Sequence, residues 1–139
     1  MHGVGISCVN ALAKKLILNV KRDGNVYEQE YSRGDAKTKL KIIGKCEKNE
    51  TGTKITFWPD EQIFSTLNFD YKVLETRFRE IAFLNAGLKI ILTDEVKNKK
   101  EEFFSSVGLI EFVKWLNTNR EVLSKPIYFK REMDKTIIE

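Results

Sequence analysis

Apolar and polar positions along this chain repeat with two different periods, and each change of period marks an element. Ile6, Val9, Ala13 and Leu16 fall three or four apart, which predicts a helix over roughly residues 6–15. From Leu16 to Arg22 the period drops to two, with Leu16, Leu18 and Val20 on one face of a strand. Asp23-Gly24 supplies the positive-φ pair of a tight hairpin turn, and a return strand is expected over Asn25 to Tyr31. Ser32-Arg33-Gly34-Asp35 reads as the next turn. A third strand is expected from Lys39 to Ile43, with Leu40 and Ile42 inward and lysines outward. After the polar turn Glu47 to Glu50, a fourth runs from Thr53 to Trp58, where Ile55 and Phe57 share a face. Four strands joined by short polar turns suggest an antiparallel meander with one face covered.

The second half changes character. Pro59 and the polar stretch to Asn68 read as a loop, followed by a helix from Tyr71 to Asn85 with a stripe of Leu74, Phe78, Ile81 and Ala82. Gly87 is its expected positive-φ stop. A strand over Leu88 to Leu92, a basic turn and a short strand over Glu101 to Phe104 make a hairpin. A second helix from Leu109 to Asn117 turns Leu109, Phe112, Val113 and Leu116 inward, and beyond Pro126 the stretches Ile127 to Phe129 and Thr136 to Ile138 read as strands. The fold class is therefore α+β, a mostly antiparallel sheet with helices on one face.

Composition adds limits. A chain of 139 residues, 42% hydrophobic and 32% charged, has the size and make-up of an ordinary globular domain. The net charge of +4 is spread among interleaved signs, so no clustered basic patch marks a nucleic-acid footprint. Lys97-Asn98-Lys99-Lys100 runs straight into Glu101-Glu102 and reads as a solvated hairpin turn. Cys8 and Cys46 stand far apart without a CxxC pair, and there is one histidine, which excludes a zinc site and leaves two free thiols of a reducing compartment. No apolar run approaches the roughly 20 residues that span a bilayer. The amino terminus lacks the plan of a signal peptide, so a cytoplasmic protein with no membrane partner is expected. Arg33-Gly34-Asp35 spells an adhesion tripeptide, which a hairpin turn explains better.

The candidate chemistry lies at the start, in His2-Gly3-Val4-Gly5-Ile6-Ser7-Cys8-Val9-Asn10-Ala11-Leu12. Glycine admits positive φ and removes the Cβ that would keep a ligand away. A helix opening just after it aims free N–H groups at the gap, and glycine turns can form an anion nest. Spacing alone leaves two readings open, a phosphate seat and a plain tight turn.

The wording of this stretch resembles the third nucleotide-binding motif of the ATPase component of the type IIA topoisomerases. Thr51-Gly52-Thr53-Lys54-Ile55-Thr56-Phe57-Trp58-Pro59 and Arg77-Phe78-Arg79-Glu80-Ile81-Ala82-Phe83-Leu84-Asn85-Ala86-Gly87 resemble the same family in the same order. The resemblance implies a GHKL-type ATPase two-layer sandwich, present in part. Residues 1–124 would be the back half of that domain, and 125–139 the entry to a transducer domain. It also implies ATP as ligand. His2, Gly3, Val4, Gly5 and Ile6 would wrap the phosphates, Thr53 would reach the adenine side partly through water, and Ile55 would line the wall. Arg22 would stand at the pocket mouth where coumarin-type inhibitors sit. Read as residues alone, Thr53 is equally a β-branched strand residue with its hydroxyl in solvent, and Arg22 a hairpin-end charge.

His2 is the only histidine, yet the family's general base is a glutamate, so His2 is expected to offer backbone contacts and no catalysis. In the family the base, the magnesium-holding asparagine and the adenine-binding aspartate all precede the glycine motif, and a transducer lysine reaches the γ-phosphate. The chain is therefore expected to be a segment with no catalytic residue and no metal ligand of its own, unable to hydrolyse ATP alone. Its parent would be an ATP-driven enzyme that dimerises through the ATPase region, works with the gyrase A subunit, and passes one DNA strand pair through another. Competing readings are another GHKL ATPase, of mismatch-repair or histidine-kinase type, and a non-catalytic remnant acting as a binding module.

Overall fold

The computed structural model describes residues 3–118, 120–133 and 136–138, which fall into two compact units, one up to Asn68 and one from Phe69. His2 lies outside the described residues.

The first unit opens with a short helix, α1 (Gly5–Ala11), and passes directly into strand β1 (Ala13–Arg22). The helix thus ends well before its periodicity suggests. Ala13 and Leu16, counted into the helical stripe, are instead buried strand residues. The cause is tertiary. The carbonyl of Leu12 accepts from the Asp60 amide (3.1 Å) and that of Ala13 from the Arg33 amide (2.9 Å), so these groups are taken by the sheet before a further helical turn can claim them.

β1 pairs antiparallel with β2 (Asn25–Ser32) across Asp23-Gly24, whose φ values of 51° and 76° are those of the expected hairpin turn. β3 (Asp35–Ala36) and β4 (Lys41–Lys45) both pair with β2. β5 (Gly52–Pro59) does not continue a meander. It crosses to the other side and pairs with β1, giving the order β3-β2-β1-β5 with β4 beside β2. The third strand also departs from expectation in facing. Leu40 precedes β4 and is 58% exposed, and Ile42 is exposed as well. Between Val26 and Tyr27 the register slips, Gly44 facing the first and Ile42 the second, which leaves Ile43 as the extra residue of a bulge on a sheet margin.

The second unit is built on helix α2 (Tyr71–Leu84), whose amino end is capped by the Asp70 carboxylate accepting from the amides of Lys72 (2.8 Å) and Val73 (3.2 Å). Ala82 packs with Leu92 and Phe103 of the hairpin β6 (Ile90–Asp94) and β7 (Lys99–Phe103), flanked by Leu74, Phe78 and Ile90. Ile81, expected in this stripe, is exposed. Gly87 does take positive φ (86°), though past the cap residue Asn85, and its amide donates to the Ser105 carbonyl. Leu88, expected as the first alternating residue of this strand, lies before β6 and is exposed.

Helix α3 (Leu109–Leu116) meets α2 through Phe112, stacked on Phe83 at 5.5 Å, and Trp115. Val113 and Leu116, expected to face in, are exposed, so the inward stripe is turned toward the aromatic pair. Near the end, β8 (Arg131–Met133) pairs with β9 (Thr136–Ile138), whereas Ile127 to Phe129 forms no strand and Ile127 is 91% exposed.

Leu16, 3% exposed at the centre of the first sheet, should be costly to truncate. Leu16→Ala is expected to lower the unfolding free energy by about 2–4 kcal/mol, and Leu40→Ser to change it by less than about 0.5 kcal/mol. Urea unfolding followed by circular dichroism checks both, and a large loss at Leu40 would restore the inward reading of that residue.

Candidate functional site

The register of β1 with its two neighbours sorts the side chains of the first sheet onto two faces. Leu16, Leu18 and Val20 stand opposite Tyr31, Gln29 and Tyr27 on β2, and opposite Phe57, Ile55 and Thr53 on β5. The reverse face carries Lys15, Asn19 and Lys21 beside Glu30, Glu28 and Lys54. That reverse face carries charge pairs among Ile17, Val26 and Trp58. Lys15 bonds Glu30 at 3.1 Å, Lys41 bonds Glu28 at 3.2 Å, and the Asn19 amide donates to Glu28 at 3.0 Å. Those bonds from Asn19 and Lys41 hold the Glu28 carboxyl below its ordinary range. Lys21 and Glu50, 2.5 Å apart, do the same for one another, the ammonium being raised and the carboxyl lowered.

α1 lies on the apolar face. Ile6, Ser7 and Asn10 of the helix, with Leu16, Leu18, Tyr31 and Ile55 of the sheet, line a shallow recess of about 180 Å³. Ile6, placed with the glycine motif from the sequence, and Ile55, placed on the pocket wall, both border this recess. Thr53 lies one pair further along the same face, opposite Val20; the larger recess of about 470 Å³ that it also borders belongs mainly to the reverse face, around Asn19, Lys21, Lys54 and Glu50. Arg22 closes the row at the hairpin end. It is exposed, with Asp23 at 3.6 Å as its ion-pair partner. Ile6, Ile55, Thr53 and Arg22 thus follow one another along one side of the sheet, from helix to hairpin.

The glycine motif borders the head of this row. Gly3 has φ 66°, in the left-handed region, and Cβ atoms built on Gly3 and Gly5 would meet nothing within 4 Å. Val4 caps α1 without a side-chain hydrogen bond, and the first intrahelical bond runs from the Cys8 amide to the Val4 carbonyl (3.1 Å). The amides of Gly5, Ile6 and Ser7 are therefore first-turn donors of the helix with no partner among the described residues. With only seven residues in α1, these backbone donors count for more than any helix dipole.

The far end of α1 is held much more firmly, in a way the sequence reading did not anticipate. Asp60, 1% exposed, accepts from Arg33 Nε at 2.5 Å and Nη2 at 3.3 Å, and from the Gln62 amide at 3.0 Å. The Arg33 guanidinium first, then the Gln62 amide, hold the Asp60 carboxyl below its ordinary range. The Gly34 amide donates to the Asn10 carbonyl (3.1 Å), and the Asn10 side chain donates back to the Gly34 carbonyl (3.3 Å). Arg33, expected in a hairpin turn, does stand in the turn between β2 and β3, and its guanidinium is pinned by Asp60. No local pattern announces these pairs, since Arg33 and Asp60 are 27 residues apart and each sits in what reads as a polar turn.

Among the described residues, no group of three His, Cys, Asp or Glu side chains comes together to hold a metal ion. Both cysteines are free thiols, Cys8 exposed and Cys46 half-buried. No helix among the described residues is long and apolar enough to cross a membrane.

No family model matches the chain. Its curated relatives do. It is 44% identical over 145 residues to the chloroplastic/mitochondrial DNA gyrase B protein of Oryza sativa subsp. japonica, covering 100% of this chain and 20% of that protein. It is 45% identical over 139 residues to the DNA gyrase B protein of Campylobacter jejuni subsp. jejuni, again over the whole chain and 18% of the relative. Among solved structures it matches the 43K ATPase domain of Thermus thermophilus gyrase B, in complex with an aminocoumarin. The TM-score is 0.86 at 36% identity, over 96% of this chain and 37% of that one. The topoisomerase IV ATP-binding domain of Francisella tularensis, in complex with a small-molecule inhibitor, follows at TM-score 0.77 and 33% identity, over 94% and 35% of the two chains. The chain thus spans about a fifth of the length of the curated relatives it matches. Its α+β fold is that of part of a gyrase B-type ATPase domain.

The buried Asp60 makes a pH test possible. A carboxyl whose folded pKa is depressed contributes stability that is complete above its unfolded pKa, about 4, and is lost as pH falls through the lower folded value. Thermal melts of the chain are expected to fall more steeply below about pH 4 than those of Asp60→Asn. Parallel curves would show that the pairing with Arg33 carries no net stability.

Proposed function

We propose, for a chain related over its whole length to DNA gyrase B, that it is a segment of the ATP-binding component of a type II DNA topoisomerase. The observation that carries this reading is the row on one sheet face, headed by the glycine motif and running through Ile6, Ile55, Thr53 and Arg22. The backbone donors of Gly3, Val4, Gly5 and Ile6 would take the phosphates of ATP. Ile6 and Ile55 would pack against the base, whose flat apolar surface suits a recess lined by Leu16 and Leu18. The Thr53 hydroxyl would reach the adenine edge, and Arg22 would stand at the mouth, where its exposed charge can meet an anionic group.

In the whole protein, nucleotide binding would drive dimerisation of the ATPase region, and hydrolysis would reset it during DNA strand passage with the gyrase A protein. Residues 1–124 would then be the back half of the ATPase domain and 125–139 the entry to the transducer. The protein would work in the cytoplasm or an equivalent compartment with DNA.

What the chain's own residues contribute is binding and orientation. Glu28 and Glu30 lie on the reverse face of the sheet, tied to Lys41 and Lys15, so neither is placed to activate a water beside the glycine motif. The described carboxylates do not assemble a magnesium site.

Calorimetric titration of the chain with a non-hydrolysable ATP analogue tests the reading, with saturation at one nucleotide per chain expected and absence of binding at millimolar nucleotide counting against it. The same chain is expected to show no steady-state ATP turnover with magnesium. In a full-length ATPase protein carrying this segment, Thr53→Ala should weaken nucleotide affinity by about 0.5–1.5 kcal/mol, the net worth of one hydrogen bond. Unchanged affinity with an intact fold would remove the hydroxyl from the site.

A further inference from the structure

We infer that the ion pair between the half-exposed Arg33 guanidinium and the buried Asp60 carboxylate is a clamp that positions the glycine motif, acting through the carboxyl-terminal end of α1. The inference rests on the nucleotide reading above for the motif's purpose, though not for the clamp itself. The two ends of α1 are held very differently. At the glycine end no described residue beyond the chain neighbours and the helix's own backbone lies within 4 Å of a Cβ built on Gly3 or Gly5, and the N-cap Val4 makes no side-chain hydrogen bond. At the other end five hydrogen bonds converge on residues 10–14. The Asn10 carbonyl and side chain bond Gly34, the Leu12 carbonyl accepts from the Asp60 amide, the Ala13 carbonyl accepts from the Arg33 amide, and the Lys14 carbonyl accepts from the Ser32 hydroxyl (2.7 Å).

Arg33 and Asp60 each contribute a backbone amide to this set, and their side chains bond one another. One ion pair therefore locks the β2–β3 turn to the end of β5, with the root of α1 held between them. A backbone anchored at one end swings about its anchor. The glycine amides, roughly one to two helical turns from the root, are placed by whatever fixes its angle. A Cβ on Gly34 would come within 3.7 Å of Ala11 Cα, so the turn packs directly on the last turn of the helix and transmits that angle.

Asp60 is faced by Arg33, with Lys14 nearby in charge and Glu61 opposing, Lys14 and Glu61 themselves being paired at 2.9 Å. Neutralising Asp60 should leave that outer pair intact and loosen only the inner one. This separates a positioning role from a general one. Asp60→Asn keeps the shape, and Arg33→Lys keeps the charge while losing the forked geometry.

The test is residue-resolved amide hydrogen exchange on the whole 139-residue chain, without nucleotide, for the parent, Asp60→Asn and Arg33→Lys. Exchange at the hydrogen-bonded amides of residues 8–12 is expected to speed up roughly tenfold or more in Asp60→Asn, with Arg33→Lys intermediate, while amides of residues 16–20 in β1 keep their rates. Unchanged exchange in α1, or acceleration of helix and sheet amides by one common factor, would overturn the inference, the latter by making the pair a general stability element. Affinity for the non-hydrolysable ATP analogue is the second readout. If the parent binds, Asp60→Asn should bind at least several-fold more weakly at a temperature where it is fully folded, and equal affinity would again overturn the positioning role. Failure of the parent to bind would instead remove the nucleotide reading, and the exchange result would still decide the clamp.

Discussion

Two-sided pairing of β1 is the constraint on which the first unit depends. A strand hydrogen-bonded along both edges cannot slip by one residue without turning every side chain to the wrong face. β2 and β5 hold it from opposite sides over Leu16 to Lys21, and every assignment of a residue to a face follows from that double register. The pairing also ends α1. Once Leu12 and Ala13 give their carbonyls to Asp60 and Arg33, the chain has entered the sheet, and the helix before it is limited to seven residues. A longer helix would carry the glycine motif further from Ile55 and Thr53.

The two faces separate two kinds of chemistry. The charged face satisfies itself, lysine against glutamate across strands, in pairs that are mostly half-open to water and contribute little stability each. It serves solubility and register. The apolar face is different. Leu16 is buried there, but Ile6, Ile55 and Phe57 remain partly open, and the smaller recess lies beside Ile6 and Ile55. A face that stays apolar and open is where a flat, partly apolar ligand or further protein can be bound. The glycine amides at its margin add donors for negative charge. The segregation of carboxylates to the reverse face keeps like charge away from where phosphates would sit.

The second unit has its own core, small and aromatic. Ala82 lets Leu92 and Phe103 close on α2, while Phe83, Phe112 and Trp115 join the two helices. Arg79 spans both groups, its guanidinium 5.6 Å from the Phe103 ring and 6.0 Å from Trp115, and is held from behind by Glu75. The motif of α2 that carries family resemblance thus works as packing, with its charged members paired along the helix surface.

Local chemistry made much of this legible. Asp23-Gly24 and Arg33-Gly34 turn where glycine and short polar residues allow positive φ, and the alternation of Leu16, Leu18 and Val20 marks a half-buried strand whatever its partners. The wording of the glycine motif and of Thr51 to Pro59 carried the resemblance to the family, and the change of period along the chain carried the α+β class. Facing and pairing beyond nearest neighbours were not available in the same way. Nothing within Gly52–Pro59 says that it skips β4 to pair with β1, because a strand's own sequence fixes its alternation and not its neighbour. Leu40 and Ile42 alternate like core residues, yet they fall at a bulged margin where nothing among the described residues buries them. Ala13 and Leu16 fit a helical stripe as well as a strand, and competition for the carbonyls of Leu12 and Ala13 decided between them. The Arg33–Asp60 pair is the clearest case. Each residue alone reads as a solvated charge in a turn, and only the fold, by closing 27 residues of chain between them, buries the carboxylate against the guanidinium that holds it.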